Sequence, residues 1–202
     1  MNHFISVLFM SALLVTCEAQ QERKVGGPCE GCEALMEFPA RKLNDVDTLP
    51  AFSGTEPKLH LFGTVYERDG VTPAEGVIIY IYHTNRKGIY EKRVDSKGWE
   101  SRHGIYRGWV KTNKSGTYDF YTFRPASYPN SNIAQHIHMT VKEPNTIPYY
   151  IDAVEFRDDS FLTDEQISRS SNRGGSGIVE PLQKEMIEVR RDITLGMNIP
   201  DY

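Results

Sequence analysis

From Leu59 onward the chain alternates short apolar runs with turn residues, a pattern typical of β-strands. The predicted strands span residues 59–66, 76–83, 106–112, 117–123, 134–141, 149–156 and 185–195. The run GVIIYIYH (76–83) is apolar on both faces and is therefore predicted to be a central strand. In TYDFYTF (117–123), by contrast, Tyr118, Phe120 and Thr122 share one face. Many short strands with almost no helix predict an all-β, antiparallel β-sandwich of the Ig-like or prealbumin-like kind.

The segments between the strands predict long loops and at most one short helix. That helix is expected at 164–170, because Thr163 followed by Gln166 forms a capping box. Residues 20–58 are polar, contain several prolines and show no sustained periodicity. We expect them to form an irregular N-terminal arm on the surface of a domain at 59–202.

Composition narrows the functional classes. The 202 residues suit one domain with short extensions, and 39% hydrophobic and 25% charged residues are typical of a globular chain. Lys and Arg total 23 against 27 Asp and Glu, a net charge of −4, and no dense basic tract is present. Nucleic acid is therefore not an expected partner.

The N-terminus resembles an export signal. Its first sixteen residues carry no Lys, Arg, Asp or Glu, and the apolar core at 4–15 is too short to span a bilayer. Two processing sites compete within 1–19: a lipobox-like sequence ending at Cys17, and a cut after Ala19. We expect an exported protein that is periplasmic, secreted or held in the cell envelope by a lipid on Cys17.

The other two cysteines, Cys29 and Cys32, form a CxxC motif in the arm. A zinc site would need a second pair of soft ligands nearby, and a thioredoxin-like site would need a βαβ unit. Neither is visible in the sequence. In an oxidising compartment the pair can close a small disulfide, which is the favoured interpretation.

The chemically informative motif is HIH, at 136–138, within a predicted strand. Alternate strand residues share a face, so His136 and His138 point the same way and suit iron, copper, nickel or zinc. HxH alone is weak evidence, since two hydrogen-bonded surface histidines give the same pattern. Upstream lie Tyr128, between Ser127 and Pro129, and Tyr90, in GIY. Each could equally be an ordinary core or rim aromatic among the chain's 11 tyrosines.

The order of these elements resembles intradiol ring-cleavage dioxygenases, the family of protocatechuate 3,4- and catechol 1,2-dioxygenases. The family pattern is a strand, G-x-Y, a strand of the G-Y-Y/D-F type, a T-x-x-P-x-x-Y-P turn and H-I-H. The sequence supplies GVIIYIYHTNRKGIY, SGTYDFYTFRPASYP and QHIH in that order. The resemblance covers about 59–159, and RRDITL (190–195) is similar to the family's closing strand.

The resemblance implies an Fe(III) centre with Tyr90, Tyr128, His136 and His138 as ligands and no organic cofactor. Phenolate is a hard anionic donor suited to ferric iron, and coordination lowers a tyrosine pKa from its usual value of about 10. The implied reaction inserts O2 between the two hydroxylated carbons of a catechol. Tyr90 and His138 would stay bound, while Tyr128, opposite His136, would leave the metal and accept a catechol proton as the catalytic residue.

The pocket walls depart from the family. Ile133 stands where the family has an arginine, Tyr82 replaces a tryptophan, and Ala126 replaces a glycine. Tyr82 and Ile133 are expected to line the substrate pocket. Without a compensating cation, neutral catechols should be better substrates than protocatechuate. Candidates for that cation are Arg102, Arg107 and Arg124.

Two other interpretations of the sequence stay open. The G-x-V…G-V…G-x-Y pattern also resembles non-catalytic sandwich modules of the carboxypeptidase-regulatory kind, which have no reason to bring two tyrosines and HxH together. Alternatively, a copper or zinc site could use His136 and His138 with His83 or His103. The sandwich module differs from the dioxygenase in whether the four ligand side chains converge. A zinc site would be colourless, whereas an Fe(III)-phenolate centre absorbs visible light strongly.

Overall fold

The computed structural model describes residues 21–40 and 42–202, and within them two β-sheets enclose one main apolar core. The strands are β1 Val46–Thr48, β2 Lys58–Tyr66, β3 Ile78–Tyr82, β4 Arg107–Lys111, β5 Thr117–Phe123, β6 His136–Lys142, β7 Tyr149–Phe156, β8 Ile178–Val179, β9 Leu182–Gln183, β10 Ile187–Arg190 and β11 Ile193–Thr194. One sheet has the order β1-β5-β2-β10-β9, with β11 also paired to β2, and the other has the order β4-β3-β6-β7-β8.

The predicted sandwich is confirmed, with one difference in strand pairing and one in the extent of a strand. β3 lies inside its sheet, and Ile79, Tyr80 and Ile81 are fully buried, as its two apolar faces predict. The sheets are mixed rather than antiparallel, since β1 pairs with β5, β10 and β11 with β2, and β7 with β8 in parallel. The strand predicted at 185–195 is split into β10 and β11. Pairings between distant segments leave no local pattern, so they could not be predicted from periodicity.

The expectation of at most one short helix is wrong, because there are two α-helices in the described residues. Helix α2, Asp164–Ser168, begins with the predicted capping box at Thr163 and Gln166. The unexpected helix α1, Glu100–His103, has only one turn and no side-chain cap. It is held by distant contacts instead, since the Glu37 carboxylate accepts the Trp99 backbone N–H at 2.9 Å.

The arm is more regular than its lack of periodicity predicts. It contains a 3-10 helix, Cys32–Glu37, as well as β1. Leu35 is fully buried with Tyr80 and Trp109 in a second apolar cluster on the outer face of the β4-β3-β6-β7-β8 sheet. The predicted signal and Cys17 lie outside the described residues. Within the described part, no helix has the length and apolar character needed to cross a membrane.

Candidate active site

The two histidines of β6 project from the outer face of the β4-β3-β6-β7-β8 sheet. Ile137 between them is fully buried in the core, and the Nε2 atoms of His136 and His138 lie 3.1 Å apart. Nδ1 of His136 donates to the Ala134 carbonyl at 2.7 Å. A donor at Nδ1 leaves the lone pair on Nε2, so the His136 nitrogen that faces His138 is ready to bind a metal.

A β-bulge on the neighbouring strand shapes the surface beside these histidines. Ile137 pairs with Val154 and Met139 with Ile151, so Asp152 and Ala153 together oppose the single residue His138. Ile151 and Val154 are both buried, whereas the two residues between them are half-buried on the outer face. The bulge thus turns two consecutive side chains towards the site, and bulges are common beside active sites.

Tyr90 is placed by the tight loop that follows β3. The Asn85 side-chain oxygen accepts the backbone N–H groups of Lys87 and Ile89, at 2.8 and 3.1 Å. Gly88 has φ +74°, and a Cβ there would lie 2.0 Å from the Ser127 carbonyl oxygen. The glycine of the G-x-Y motif therefore permits the close approach of this loop to the turn that carries Tyr128.

Hydrogen bonds join the same two loops at their bases. The Thr84 hydroxyl donates to the Ala126 carbonyl at 2.7 Å, and the Arg86 guanidinium donates to the Arg124 carbonyl at 2.8 Å. Tyr90 and Tyr128 are therefore held facing each other by two loops that brace one another.

The four predicted ligand side chains converge. The two tyrosine hydroxyls lie 2.5 Å apart, and the Tyr90 hydroxyl is 2.9 Å from His138 Nε2. The Tyr128 hydroxyl is 3.3 Å from His138 Nε2 and 3.0 Å from His136 Nε2. Ligands bonded to one first-row metal ion at about 2 Å are themselves about 3 Å apart. Two phenol oxygens and two imidazole nitrogens in this arrangement fit the donor set expected for ferric iron.

The protein's own electrostatics keep the four groups neutral. Burial lowers the pKa of His136, and burial with the nearby histidines lowers that of His138 to about 3. Burial likewise raises the pKa of Tyr90 and of Tyr128 above the usual value. Two phenolates here would thus require a bound cation, whose charge reverses the shift in tyrosine pKa.

Tyr82, at the end of β3, forms one wall of the centre. Its ring stacks on His138 at 4.4 Å and on His103 at 3.8 Å between centroids, with interplanar angles of 14° and 2°. Burial raises its pKa to about 12, so its hydroxyl remains protonated. This stack fixes the plane of the His138 ring. His103 was considered from the sequence only as a copper or zinc ligand, and it contributes instead by stacking on Tyr82.

The other two histidines proposed for a copper or zinc site have partners elsewhere. His83 is fully buried, where Nδ1 donates to the Thr84 carbonyl and Nε2 contacts the Thr122 hydroxyl at 2.7 Å. Nδ1 of His103 lies 2.9 Å from the Tyr80 hydroxyl. Neither residue has a hydrogen bond with the four converging groups, so neither joins His136 and His138 as a third histidine.

The three arginines considered as replacements for the family's arginine are each paired with a carboxylate, and none of them lines the cleft beside His138. Ile133 itself is 49% exposed. Arg124 forms a bidentate ion pair with Asp158, at 2.6 and 2.8 Å. Arg107 pairs with Glu37 and Glu100, and Arg102 pairs with Glu30 at 2.7 Å.

A cleft of about 490 Å³ opens beside His138 on the outer face of the sheet. Its walls come from the disulfide loop of the arm, from β6 and β7, and from the loop after α2. Cys29 and Cys32 are joined by a disulfide with a Cα–Cα distance of 5.7 Å. The polar residues that line the cleft include Glu30, Tyr82, His138, Asp152, Glu155, Ser170 and Ser171. Sequence reasoning missed Asp152, Glu155 and the arm as parts of this cleft.

A family model described as dioxygenase matches residues 37–195 of the chain. The chain belongs to the intradiol ring-cleavage dioxygenase family. A curated relative, catechol 1,2-dioxygenase 1 of Acinetobacter lwoffii, is 39% identical over 70 residues, which are 35% of this chain and 22% of the relative. The chain thus matches about a fifth of the length of that intradiol relative.

Three solved structures of dioxygenases share the fold. An intradiol ring-cleavage dioxygenase from Tetranychus urticae has a TM-score of 0.57 and 17% identity, over 78% of this chain and 88% of the other. The dioxygenase domain of a carbohydrate-binding fusion from Streptomyces sp. SirexAA-E has a TM-score of 0.56 and 20% identity, over 79% and 94%. Catechol 1,2-dioxygenase from Pseudomonas arvilla C-1 has a TM-score of 0.55 and 17% identity, over 78% and 58%. Together with the convergence of the four side chains, family membership disfavours the non-catalytic module.

Proposed function

We propose that the protein is an Fe(III)-dependent dioxygenase that uses O2 to cleave a catechol ring between its two hydroxylated carbons. The observation that carries the proposal is the meeting of Tyr90, Tyr128, His136 and His138, in which every pair except Tyr90 and His136 makes a contact of 2.5–3.3 Å. A regulatory sandwich module has no use for that arrangement, whereas an intradiol enzyme requires it.

The chain's own residues have separate roles in this proposal. Bound ferric iron would supply a Lewis acid that binds both catechol oxygens. His136 and His138 would hold it through Nε2, and Tyr90 through its phenolate oxygen. The Tyr128 oxygen would accept a proton from the incoming catechol, since a phenolate released from a cation regains its high pKa. Tyr82 would keep the His138 ring in place.

The cleft walls support a preference among substrates. No arginine or lysine of the described residues lines the cleft, while Glu30, Asp152 and Glu155 do. A carboxylated catechol would enter without a counter-ion, at a cost of about 1–3 kcal/mol. We therefore expect neutral catechols to have a higher kcat/KM than protocatechuate, by roughly five- to 150-fold.

The test begins with the protein purified in air. Its visible spectrum and iron content are measured, followed by oxygen uptake with catechol, 4-methylcatechol, hydroxyquinol and protocatechuate. We expect bound iron, a phenolate-to-iron absorption band and oxygen uptake that is greatest with the neutral compounds. A colourless protein without iron that takes up no oxygen would refute the proposed function. A preference for protocatechuate would refute only the substrate preference.

A further inference from the structure

The cleft beside His138 carries negative charge that the surrounding protein does not balance. Glu30, at its rim, pairs with Arg102 at 2.7 Å, but these side chains are 76% and 59% exposed. Such an exposed pair is weak and lies at the edge of the cleft. The charge that matters for a bound molecule therefore comes from the two carboxylates deeper along β7, Asp152 and Glu155.

Asp152 is held in the cleft by neutral donors. The Ser170 and Ser171 hydroxyls donate to its two oxygens at 2.9 and 2.5 Å, which orients the carboxylate without cancelling its charge. The Arg191 guanidinium donates to the Asp152 carbonyl from the core side. It is 2% exposed and does not line the cleft, so it offsets part of the charge without meeting a ligand.

Glu155 is the carboxylate that lacks a partner. It is half-buried, lines the cleft, and lies directly opposite His136 on the adjacent strand. No hydrogen bond or ion pair within the described residues reaches its carboxylate oxygens. A partly buried carboxylate without a counter-ion favours binding of a cation.

We infer, on the basis of the proposed catechol cleavage, that the cleft selects catechols bearing a protonated amine on a short side chain. Glu155 and Asp152 would bind the ammonium group. Opposed residues on neighbouring strands have Cβ atoms about 5 Å apart. A ring placed at His136 and His138 therefore brings a substituent two carbons long within reach of these carboxylates. The pairing desolvates an ammonium group beside a carboxylate, which strengthens their attraction relative to water.

Three catechols of nearly equal size isolate the effect of charge. These are 4-(2-aminoethyl)catechol, which is cationic, 4-ethylcatechol, which is neutral, and 3,4-dihydroxyphenylacetate, which is anionic. Binding to the full protein is measured by calorimetry under nitrogen, and kcat/KM by oxygen uptake in air. We expect the cation to bind at least about tenfold more tightly than the neutral compound, which is about 1.4 kcal/mol, and the anion to bind weakest. Added salt should reduce this preference.

Glu155→Gln tests the assignment directly, because it removes the charge at almost constant shape. The ratio of cationic to neutral affinity should fall about three- to tenfold. Glu185→Gln is the matched control, since Glu185 is exposed between β9 and β10, away from the cleft. It should leave that ratio unchanged.

The outcomes separate this inference from the proposed function. If the neutral compound binds as tightly as the cation, or if Glu155→Gln leaves the ratio unchanged, the inference is wrong even when catechols are cleaved. If the cation binds most tightly and loses that advantage in Glu155→Gln, yet no compound consumes oxygen, the cleft assignment stands and the proposed function fails.

Discussion

The hydroxyls of Tyr90 and Tyr128 lie 2.5 Å apart, yet their surroundings differ. Tyr90 contacts His138 and the ring of Tyr82, whereas Tyr128 contacts both His136 and His138 from a turn. A residue that must leave the metal and accept a proton suits the turn rather than the packed position. The two tyrosines should therefore not respond alike to loss of the hydroxyl.

We expect Tyr90→Phe and Tyr128→Phe each to shift or weaken the visible band and to lower kcat/KM severely, about 100-fold or more. Tyr90→Phe should also reduce iron content, since it removes the anionic ligand proposed to stay bound. Tyr121→Phe, on the other sheet, is the matched control and should keep colour and turnover. Wild-type colour and iron in both site variants would make the tyrosines ordinary packing residues.

His83 gives a pH dependence unrelated to metal binding. Burial lowers its pKa to about 4, whereas the unfolded chain takes up a proton at this ring below about pH 6.5. The stability that the fold has with a neutral, buried His83 is thus fully present above pH 6.5 and is lost as the pH falls from 6.5 towards 4. For this fully buried group the loss amounts to about 3 kcal/mol.

NMR of the His83 imidazole should show no protonation at pH 5, and urea unfolding of His83→Asn should depend less on pH than that of the wild type. Titration of His83 near pH 6.5 would contradict this.

Among individual residues, those that carry a motif could be predicted from the sequence, and those that do not were missed. The resemblance of the motifs that contain Tyr90, Tyr128, His136 and His138 to the intradiol family predicted that these four positions meet. Asp152 and Glu155 lie in YYIDAVEF, where an inserted bulge residue changes which side chains face outward. A strict two-residue alternation of inward and outward side chains does not show that change. The sequence therefore could not predict that these carboxylates line the cleft.

Among the elements, the arm differs most from expectation. Its 3-10 helix buries Leu35, and the Trp109 indole N–H donates to the Leu35 carbonyl at 3.0 Å. The sequence of this segment shows no periodicity because the segment packs on the sheet as a short 3-10 helix and not as a strand. The same segment carries the disulfide loop to the wall of the cleft. An element that was expected to be peripheral therefore helps to form the site.

Replacing both Cys29 and Cys32 with serine should loosen this wall. A four-residue loop closed by a disulfide contributes about 2 kcal/mol in the chain-entropy model, so the free energy of unfolding should fall by about that amount. KM for a catechol should rise more than kcat falls, because the cleft wall changes while the four proposed iron ligands do not. Urea unfolding and steady-state oxygen uptake measure the two effects. Unchanged stability together with unchanged KM would show that the disulfide supports neither the arm nor the cleft.

For the whole molecule, the sequence of the folded domain predicts the fold and the family, whereas the N-terminal segment predicts where the protein resides. The sandwich could be predicted from the strand pattern, which is local, and the dioxygenase family from the resemblance of its motifs and their order. The pairing of β1 with β5 and of β10 with β2 could not be predicted, because it joins segments separated by more than 60 residues. The indication of where the protein resides comes instead from its first 19 residues.

We propose that the chain is exported and processed within that segment. Its apolar core at 4–15 suits a signal, and a disulfide at Cys29–Cys32 is stable in an oxidising compartment. Mass spectrometry of the protein from a bacterial host should find an N-terminus at a lipid-modified Cys17 or at Gln20, with Cys29 and Cys32 disulfide-linked. Cys17→Ser separates the two, since it abolishes membrane association of a lipoprotein and leaves a cut after Ala19 unaffected. A mature chain that keeps Met1, with free thiols at Cys29 and Cys32, would show that the protein is not exported.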